Sequence, residues 1–139
     1  MSTLAGTAGS SGIVNGTGAA ARFNQPLGIA ADRAGTGGAA VNVFLADTQN
    51  HTIRQIVVAT GVVTTLAGTS GTSGTVNGTG VAALFNHPDA LVANAAGTTV
   101  YVADTFNNLI RQIVVSSGAV TTFTAAPPVP ARSAAMPSG

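Results

Sequence analysis

Two pairs of oppositely charged residues recur with the same spacing in a chain that has few charges. Asp47 lies seven residues before Arg54, and Asp104 lies seven residues before Arg111. Such a pair can form a charged binding rim, or the Asp can accept turn N–H groups while the Arg reaches across a hairpin to it. We interpret both pairs as structural, because a specific binding site would break the repeat.

The two histidines are the next residues that could do chemistry. His51 and His87 are the only ones, and the matching positions of the other copy hold Asn108 and Gln25. A zinc enzyme needs three convergent ligands and an open position, whereas this chain has no Cys and no Glu. We therefore predict no catalytic residues, no metal and no cofactor, and we expect His51 to cap a hairpin turn.

Residues that differ between the copies are better candidates for a specific binding surface. Asp32, Arg33, Asp89 and Arg22 carry charges without a counterpart, although solvated loop charges are the simpler interpretation. The full set of candidate binding residues is Arg22, Asp32, Arg33, Gln49, His51, His87 and Asp89.

Composition excludes several classes of protein. The 139 residues are 45% hydrophobic and 6% charged, with a formal net charge of +1, so no basic patch is available for nucleic acid. Gly, Ala, Thr and Val dominate, and they favour strands and turns over amphipathic helices. No apolar run approaches the roughly 18 residues of a membrane span. We expect neither a nucleic acid nor a membrane partner.

The chain repeats itself over most of its length. Residues 3–35 match residues 65–97, and residues 43–66 match residues 100–123, each with a majority of identical positions. The two matches differ in offset because copy one has extra residues in a Gly-rich stretch at 36–42. This insertion is typical of a lengthened surface loop.

Each copy contains four short strand-like runs separated by turn residues. The predicted strands are 27–32, 41–47, 52–58 and 62–67 in copy one, and 90–95, 99–104, 109–115 and 119–124 in copy two. Runs such as VFLA and IVV are apolar at consecutive positions, which indicates that both faces of the sheet are covered. The sequence therefore predicts an all-β fold of propeller blades.

Three segments carry a resemblance to a known family. They are P-x-G-I-A at 26–30, V-x-L-A-D-T-x-N-H-x-I-R-x-I at 43–56 and G-V-V-T-T-L-A-G at 61–68. This pattern resembles NHL repeats, and the long connector N-G-T-G-x-A-A-x-F-N-x-P resembles a bacterial subgroup of them. Copy two departs at 89–91 and at Asn108. The resemblance implies four-stranded blades, with the P-x-G-I-A strand innermost, in rings that commonly have six blades.

The predicted organisation has four parts. Residues 1–7 form an extra outer strand or latch, 8–68 the first blade with its connector, 69–125 the second, and 126–139 a Pro-rich tail. Residues 2–5 are a third copy of the outer-strand sequence, so they can pair with a neighbouring copy or add a marginal fifth strand. Phe23 and Phe85 are predicted to anchor the connectors to their blades.

Two blades cannot close a ring, and their open apolar faces need a cover. We expect identical chains to associate head to tail, as a six-bladed homotrimer or, as the runner-up, an eight-bladed tetramer. The expected function is a non-enzymatic scaffold or binding module for a protein or glycan. The alternatives are a lactonase-like or lyase-type enzyme with a site at the channel mouth, and an inactive fragment of a longer propeller.

Overall fold

The protein is all-β, as predicted, and its residues 2–123 are described by a computed structural model. Ten strands form two antiparallel sheets, which we call blade 1 and blade 2. Blade 1 contains β1 (Gly16–Thr17), β2 (Pro26–Ala31), β3 (Asn42–Asp47), β4 (Thr52–Val57) and β5 (Val62–Ala67). Blade 2 contains β6 (Gly78–Thr79), β7 (Pro88–Ala93), β8 (Thr99–Asp104), β9 (Leu109–Val114) and β10 (Ala119–Thr122).

Both blades have the same strand order. Four longer strands form a meander, and the two-residue strand of the connector adds a fifth strand outside it, in the orders β1-β5-β4-β3-β2 and β6-β10-β9-β8-β7. Gly16 and Thr17 pair with Val63 and Val62. Each blade is thus a five-stranded sheet, one strand more than predicted, because the connector supplies a short pairing of its own.

A proline opens the first long strand of each blade. Pro26 pairs with Asp47 and Pro88 with Asp104, and an irregularity follows each proline before regular pairing resumes. A proline fits the first position of a strand because it has no N–H to donate to the ladder. β7 therefore spans Pro88–Ala93, so it begins and ends two residues earlier than the predicted strand 90–95.

The core lies between the two blades, and the connector of blade 2 completes it. Phe44, Ala46 and Ile53 of blade 1 pack in one buried cluster with Leu91 and Val102 of blade 2 and with Phe85 of the connector. We call the side of each sheet that carries Phe44 or its counterpart Tyr101 the following face, and the opposite side the preceding face. The connectors, residues 8–25 and 70–87, each lie on the preceding face of their own blade.

Two glycines lie in tight surroundings near the junction of the blades. Between the blades, a Cβ at Gly28 would lie 2.6 Å from the Asp89 carbonyl oxygen. Within blade 1, where the pairing of β4 with β5 ends, a Cβ at Gly68 would lie 2.5 Å from the His51 carbonyl oxygen. The Thr48 hydroxyl also donates a buried hydrogen bond of 2.7 Å to the Pro88 carbonyl. These contacts leave no room for side chains at the two glycines.

Residues 2–5 form no strand within the single chain. The prediction that residues 1–7 act as an outer strand or latch for a neighbouring copy stays a prediction. The segment contacts the connector of blade 1, where the Gly6 N–H donates to the Gly18 carbonyl at 3.0 Å. The predicted Pro-rich tail, 126–139, lies outside the described residues.

Candidate functional site

A buried clamp on the preceding face of blade 1 is built around Asp47, the last residue of β3. One carboxylate oxygen accepts the Asn24 backbone N–H at 2.8 Å. The other accepts hydrogen bonds from Arg54 on β4 and from the Asn50 side chain, both at 2.8 Å. The backbone donor belongs to the connector, whereas the sequence predicted donors from the turn after Asp47.

Arg54 extends the clamp to the rest of the connector. Its guanidinium donates to the Val14 carbonyl at 3.0 Å and to the Asn15 side chain at 2.8 Å, and it lies over the Phe23 ring at 5.0 Å from the centroid. The side chains of Asp47 and Arg54 are both fully buried. The clamp therefore holds the connector onto the sheet, and its charges are not open to a ligand.

Blade 2 contains the same clamp. Asp104 accepts from the Asn86 N–H, from Asn107 and from Arg111, each at 2.8 Å. Arg111 lies 5.0 Å from the Phe85 ring centroid and donates to the Asn77 side chain at 2.7 Å. The same contacts thus recur in both blades for the six residues that the sequence assigned a structural role, and that role stays a prediction. They are Asp47, Arg54, Asp104, Arg111, Phe23 and Phe85.

Asp32 was expected at a binding surface, but it is buried. Its carboxylate accepts the Val41 N–H at 2.7 Å, and the Asn42 N–H and side-chain amide at 3.1 and 3.0 Å. Burial raises the pKa of Asp32, but these hydrogen bonds and one from Ala34 outweigh it, so the pKa lies below its usual 3.8. Asp32 thus holds the inserted loop of copy one and is not available to a ligand.

His51 and His87 meet at the junction of the two blades. The His87 backbone N–H donates to His51 Nδ1 at 3.1 Å, and the two rings are in edge contact at 4.5 Å. Burial, and then the nearby His87, lower the pKa of His51 below its usual 6.5, and Asp104 only partly opposes this. His51 has φ 57°, so it ends the 3₁₀ turn Thr48–Asn50 in the left-handed region.

Phe106 adds an exposed aromatic ring beside this junction. It packs on the His87 ring at 4.2 Å between centroids, yet 63% of its surface is exposed. Asp89 lies near the same end of blade 2, where it accepts the Thr105 hydroxyl at 2.6 Å. We call Gln49, His51, His87, Asp89 and Phe106 the turn-end cluster.

The other candidate residues lie elsewhere. Arg22 donates to the Ala19 and Ala21 carbonyls and to the Thr7 hydroxyl, so it is engaged by the connector. Arg33 is exposed at the opposite ends of the strands, where its N–H donates to the Ala95 carbonyl. The structure therefore keeps Gln49, His51, His87 and Asp89 as the candidates near one end, and their binding role stays a prediction.

Two kinds of site residue were not predicted from the sequence. Asn50 and Asn107 tie the turns to Asp47 and Asp104, and Asn15 and Asn77 receive the arginines. Their repetition in T-x-N and V-N-G at matching positions was a usable signal. Phe106 has no such signal, because blade 1 carries Gln49 at the matching position.

Among residues 2–123, no three His, Asp, Glu or Cys side chains come together in a way that could hold a metal ion. In the same part of the chain, no helix has the length and apolar character needed to cross a membrane.

Comparison with known proteins identifies the repeats. NHL repeat-containing protein 2 of Bos taurus is 33% identical over 112 residues, which are 81% of this chain, and the Homo sapiens protein is 34% identical over 100 residues, or 72%. The chain belongs to the NHL-repeat family. The resemblance of the sequence to NHL repeats is thereby confirmed, although no family model matches the chain.

Solved structures agree with this assignment. Auxiliary nutrient binding proteins from Bacteroides ovatus and Bacteroides thetaiotaomicron are each 26% identical, with TM-scores of 0.67 and 0.66 over 87% and 86% of this NHL-repeat chain. The chain spans 28% of each of those proteins, and 15% and 13% of the bovine and human relatives.

Proposed function

We propose that the chain is a non-enzymatic NHL propeller module that presents its turn-end cluster to a ligand and that completes its ring with further copies of itself. One observation supports the assembly most directly: positions that are buried on the following face of blade 1 are exposed on the following face of blade 2. The junction within the chain thus shows that the following face of blade 2 lacks a neighbouring blade to cover it.

The difference in exposure between the two following faces is largest at two positions of the central strands. Ile53 on β4 is fully buried, whereas Ile110, at the same place on β9, is 48% exposed. Phe44 is fully buried, whereas its counterpart Tyr101 is only partly buried. An open cavity of about 240 Å³ lies on this face of blade 2, beside Val92, Tyr101 and Ile110.

The preceding face of blade 1 is the other half of the expected junction. Its connector covers Leu45, Ile56 and Val63, but Leu27 and Ile29 on the inner strand are 67% and 69% exposed. In blade 2, Leu91 matches Ile29 and is buried against blade 1. A second copy that docks in the same manner would bury both open faces at once.

Burial of apolar surface favours a closed ring. At about 25 cal/mol per Å², interfaces of obligate size, upwards of about 2,000 Å², outweigh the free-energy cost of association. Head-to-tail contacts repeat until the rotation closes. Six blades from three chains match the count common in NHL propellers, and eight blades from four chains are the second choice.

The mass in solution tests this assembly. We expect sedimentation equilibrium to give three times 13.5 kDa, unchanged across the micromolar range. Four times that mass would support the eight-bladed ring. A stable monomer, or a dimer that never closes, would refute assembly by self-association.

The turn-end cluster is the best-supported ligand surface because it combines the exposed ring of Phe106 with polar groups of His87 and Asp89. Its ligand would be a protein or a glycan, since an aromatic ring with flanking polar groups suits either. The two nutrient binding proteins of similar fold are compatible with this proposal.

Glycan and peptide arrays test the ligand surface. Phe106→Gln introduces the residue that blade 1 carries at Gln49, so the fold should tolerate it. We expect this variant to lose binding while its mass and melting temperature stay unchanged. If it retains full binding to every ligand that the unaltered protein binds, the cluster is not the site.

A further inference from the structure

A cavity of about 350 Å³ opens on the preceding face of blade 1, between the N-terminal segment and the connector. Ala5, Gly6, Phe23 and Pro26 are among its lining residues. Their counterparts by repeat alignment are Ala67, Gly68, Phe85 and Pro88. These four counterparts surround a space at the junction of the two blades. The residues that fill that space therefore indicate what kind of segment fits the cavity.

The matching space at the junction is filled by the start of β4. A Cβ at Gly68 would meet the His51 carbonyl, the Thr52 Cα at 3.0 Å and the Phe85 ring at 3.2 Å. Ile53 is buried in the same cluster as Ala67 and Phe85. The residues that fill this space are therefore His51, Thr52 and Ile53 of blade 1.

The N-terminal segment already adopts the geometry of the end of an outer strand. The Gly6 N–H donates to Gly18 at 3.0 Å, and the Gly68 N–H donates to Gly80 at 3.1 Å. Gly6 and Gly68 have φ of 94° and 95°. Residues 4–7 thus lie against blade 1 as residues 66–69 lie against blade 2, and one wall of the cavity is in place.

We propose that this cavity receives the turn and the first residues of β9 from a second copy, Asn108–Ile110. The inference rests on the proposed self-association and specifies its contact. By repeat alignment these residues are the counterparts of the three that fill the junction, and Ile110 is half exposed in the single chain. The incoming turn would lie beside Ala5 and Gly6 of the receiving chain, while the rest of β9 keeps its pairing with β10.

The polar groups of the two surfaces also correspond. At the junction the Thr48 hydroxyl donates to the Pro88 carbonyl, and the His87 N–H donates to His51. Between copies the equivalent partners are the Thr105 hydroxyl with the Pro26 carbonyl, and the Gln25 N–H with the Asn108 side chain. The first of these bonds requires the Thr105 hydroxyl to turn away from Asp89, to which it donates in the single chain.

The backbone at these positions is already set for such contacts. Gln25 and His87 have φ of 52° and 51°, and Asn108 and His51 have φ of 58° and 57°. Each pair of matching residues thus shares a left-handed conformation that L side chains rarely adopt. No backbone rearrangement is needed at these four residues for the second junction to resemble the first.

One substitution makes the contact between copies looser than the junction. Gly28, which has no room for a Cβ beside Asp89, corresponds to Ala90 on blade 2. In the same geometry the Ala90 methyl of the second copy would press on the Leu27 carbonyl of the receiving chain, so the inner strands must separate there. We expect Ala90→Gly to tighten association by about tenfold, since overpacking of this kind weakens an interface.

Cysteine cross-linking tests the proposal, because the chain has no Cys of its own. Gln25→Cys and Asn108→Cys are prepared as separate proteins, mixed, and treated with a short bismaleimide. Both positions are exposed in the single chain, and His51 and His87, their counterparts, have rings 4.5 Å apart. We expect a covalent dimer from the mixture and little from either variant alone. A chain with both His51→Cys and His87→Cys is the matched control and should link within itself.

The outcomes separate this inference from the proposed assembly. A multimer whose mixed variants do not cross-link would refute the docking mode and leave the assembly standing. Cross-linking of Asn108→Cys alone would indicate a head-to-head contact and also refute it. A monomeric protein would refute both. If removal of residues 124–139 turns a monomer into a multimer, the tail and not a second copy is the natural occupant.

Discussion

At the residue scale, Asp47 determines whether a buried arginine has a counterion. Asp47→Ala would leave Arg54 buried and unpaired and would remove the acceptor of the Asn24 N–H. Loss of one partner of a buried ion pair costs about 3–5 kcal/mol. We expect urea denaturation to show a loss of that size in the free energy of unfolding.

Asp89→Ala is the matched control for this experiment. Asp89 is partly exposed and accepts one hydroxyl, so its removal should change stability by no more than about 0.5 kcal/mol. Equal effects of the two substitutions would contradict a special role for the clamp.

His51 should make the stability of the fold depend on pH. The folded chain lowers the pKa of His51 below 6.5, mainly by burial, so the unfolded chain binds the proton more readily. The contribution of neutral His51 to the free energy of unfolding is fully present above the unfolded pKa, and it is lost as the pH drops from about 7 to about 5. We expect the melting temperature to fall over that range.

His51→Asn introduces the residue that copy two carries at Asn108, and it removes the titrating group. The variant should show a flatter pH profile between about pH 7 and pH 5. An unchanged slope would assign the pH dependence to another group.

At the element scale, each connector is an integral part of its blade. Phe85 is fully buried beneath Arg111 and against blade 1, whereas Phe23 is only partly buried. Phe85→Ala should cost about 3–5 kcal/mol, and Phe23→Ala clearly less in a dilute single chain. If neighbouring copies cover Phe23, the cost of Phe23→Ala should rise with protein concentration, which thermal unfolding across a dilution series would measure.

The strands were predictable because each is written twice in the sequence. The strand over Thr99–Asp104 and the strand over Val62–Ala67 match the predictions at both ends. The irregular pairing after Pro88 moved the start of β7, because strand propensity does not report a bulge. The short pairing of Gly16 and Thr17 was missed because two residues carry no periodicity.

The candidate site was predictable only where it repeats. Asp47 with Arg54, and Asp104 with Arg111, were recognised from equal spacing, and the structure pairs them. Asp32 occurs once, so nothing in the sequence distinguished a loop-holding carboxylate from an exposed one. Its buried carboxylate is satisfied by the Val41 and Asn42 N–H groups, which lie nine and ten residues further along the chain, at the far end of the inserted loop.

At the scale of the whole molecule, the two ends of the chain should contribute unequally to assembly. Thr3, Ala5, Gly6 and Thr7 line the cavity on blade 1, so deletion of residues 1–7 should weaken association more than deletion of residues 133–139. Sedimentation velocity of the two truncated proteins would rank them, and circular dichroism would verify that both remain folded. The reverse order would argue against a role for the N-terminal segment in the contact.

The position of the connectors also determines when each blade can close during synthesis on the ribosome. The hydrogen bond between Asn15 and Arg54 cannot form until Arg54, 39 residues later, has been translated. The bond between Asn77 and Arg111 likewise needs 34 further residues. Until β7 to β9 have left the ribosome, Phe44 and Ile53 of a finished blade 1 have no cover. If translation stalls between blade 1 and blade 2, the apolar face of blade 1 is exposed to chaperones and to other nascent chains. Synthesis of blade 2 covers this face and so protects blade 1 from aggregation.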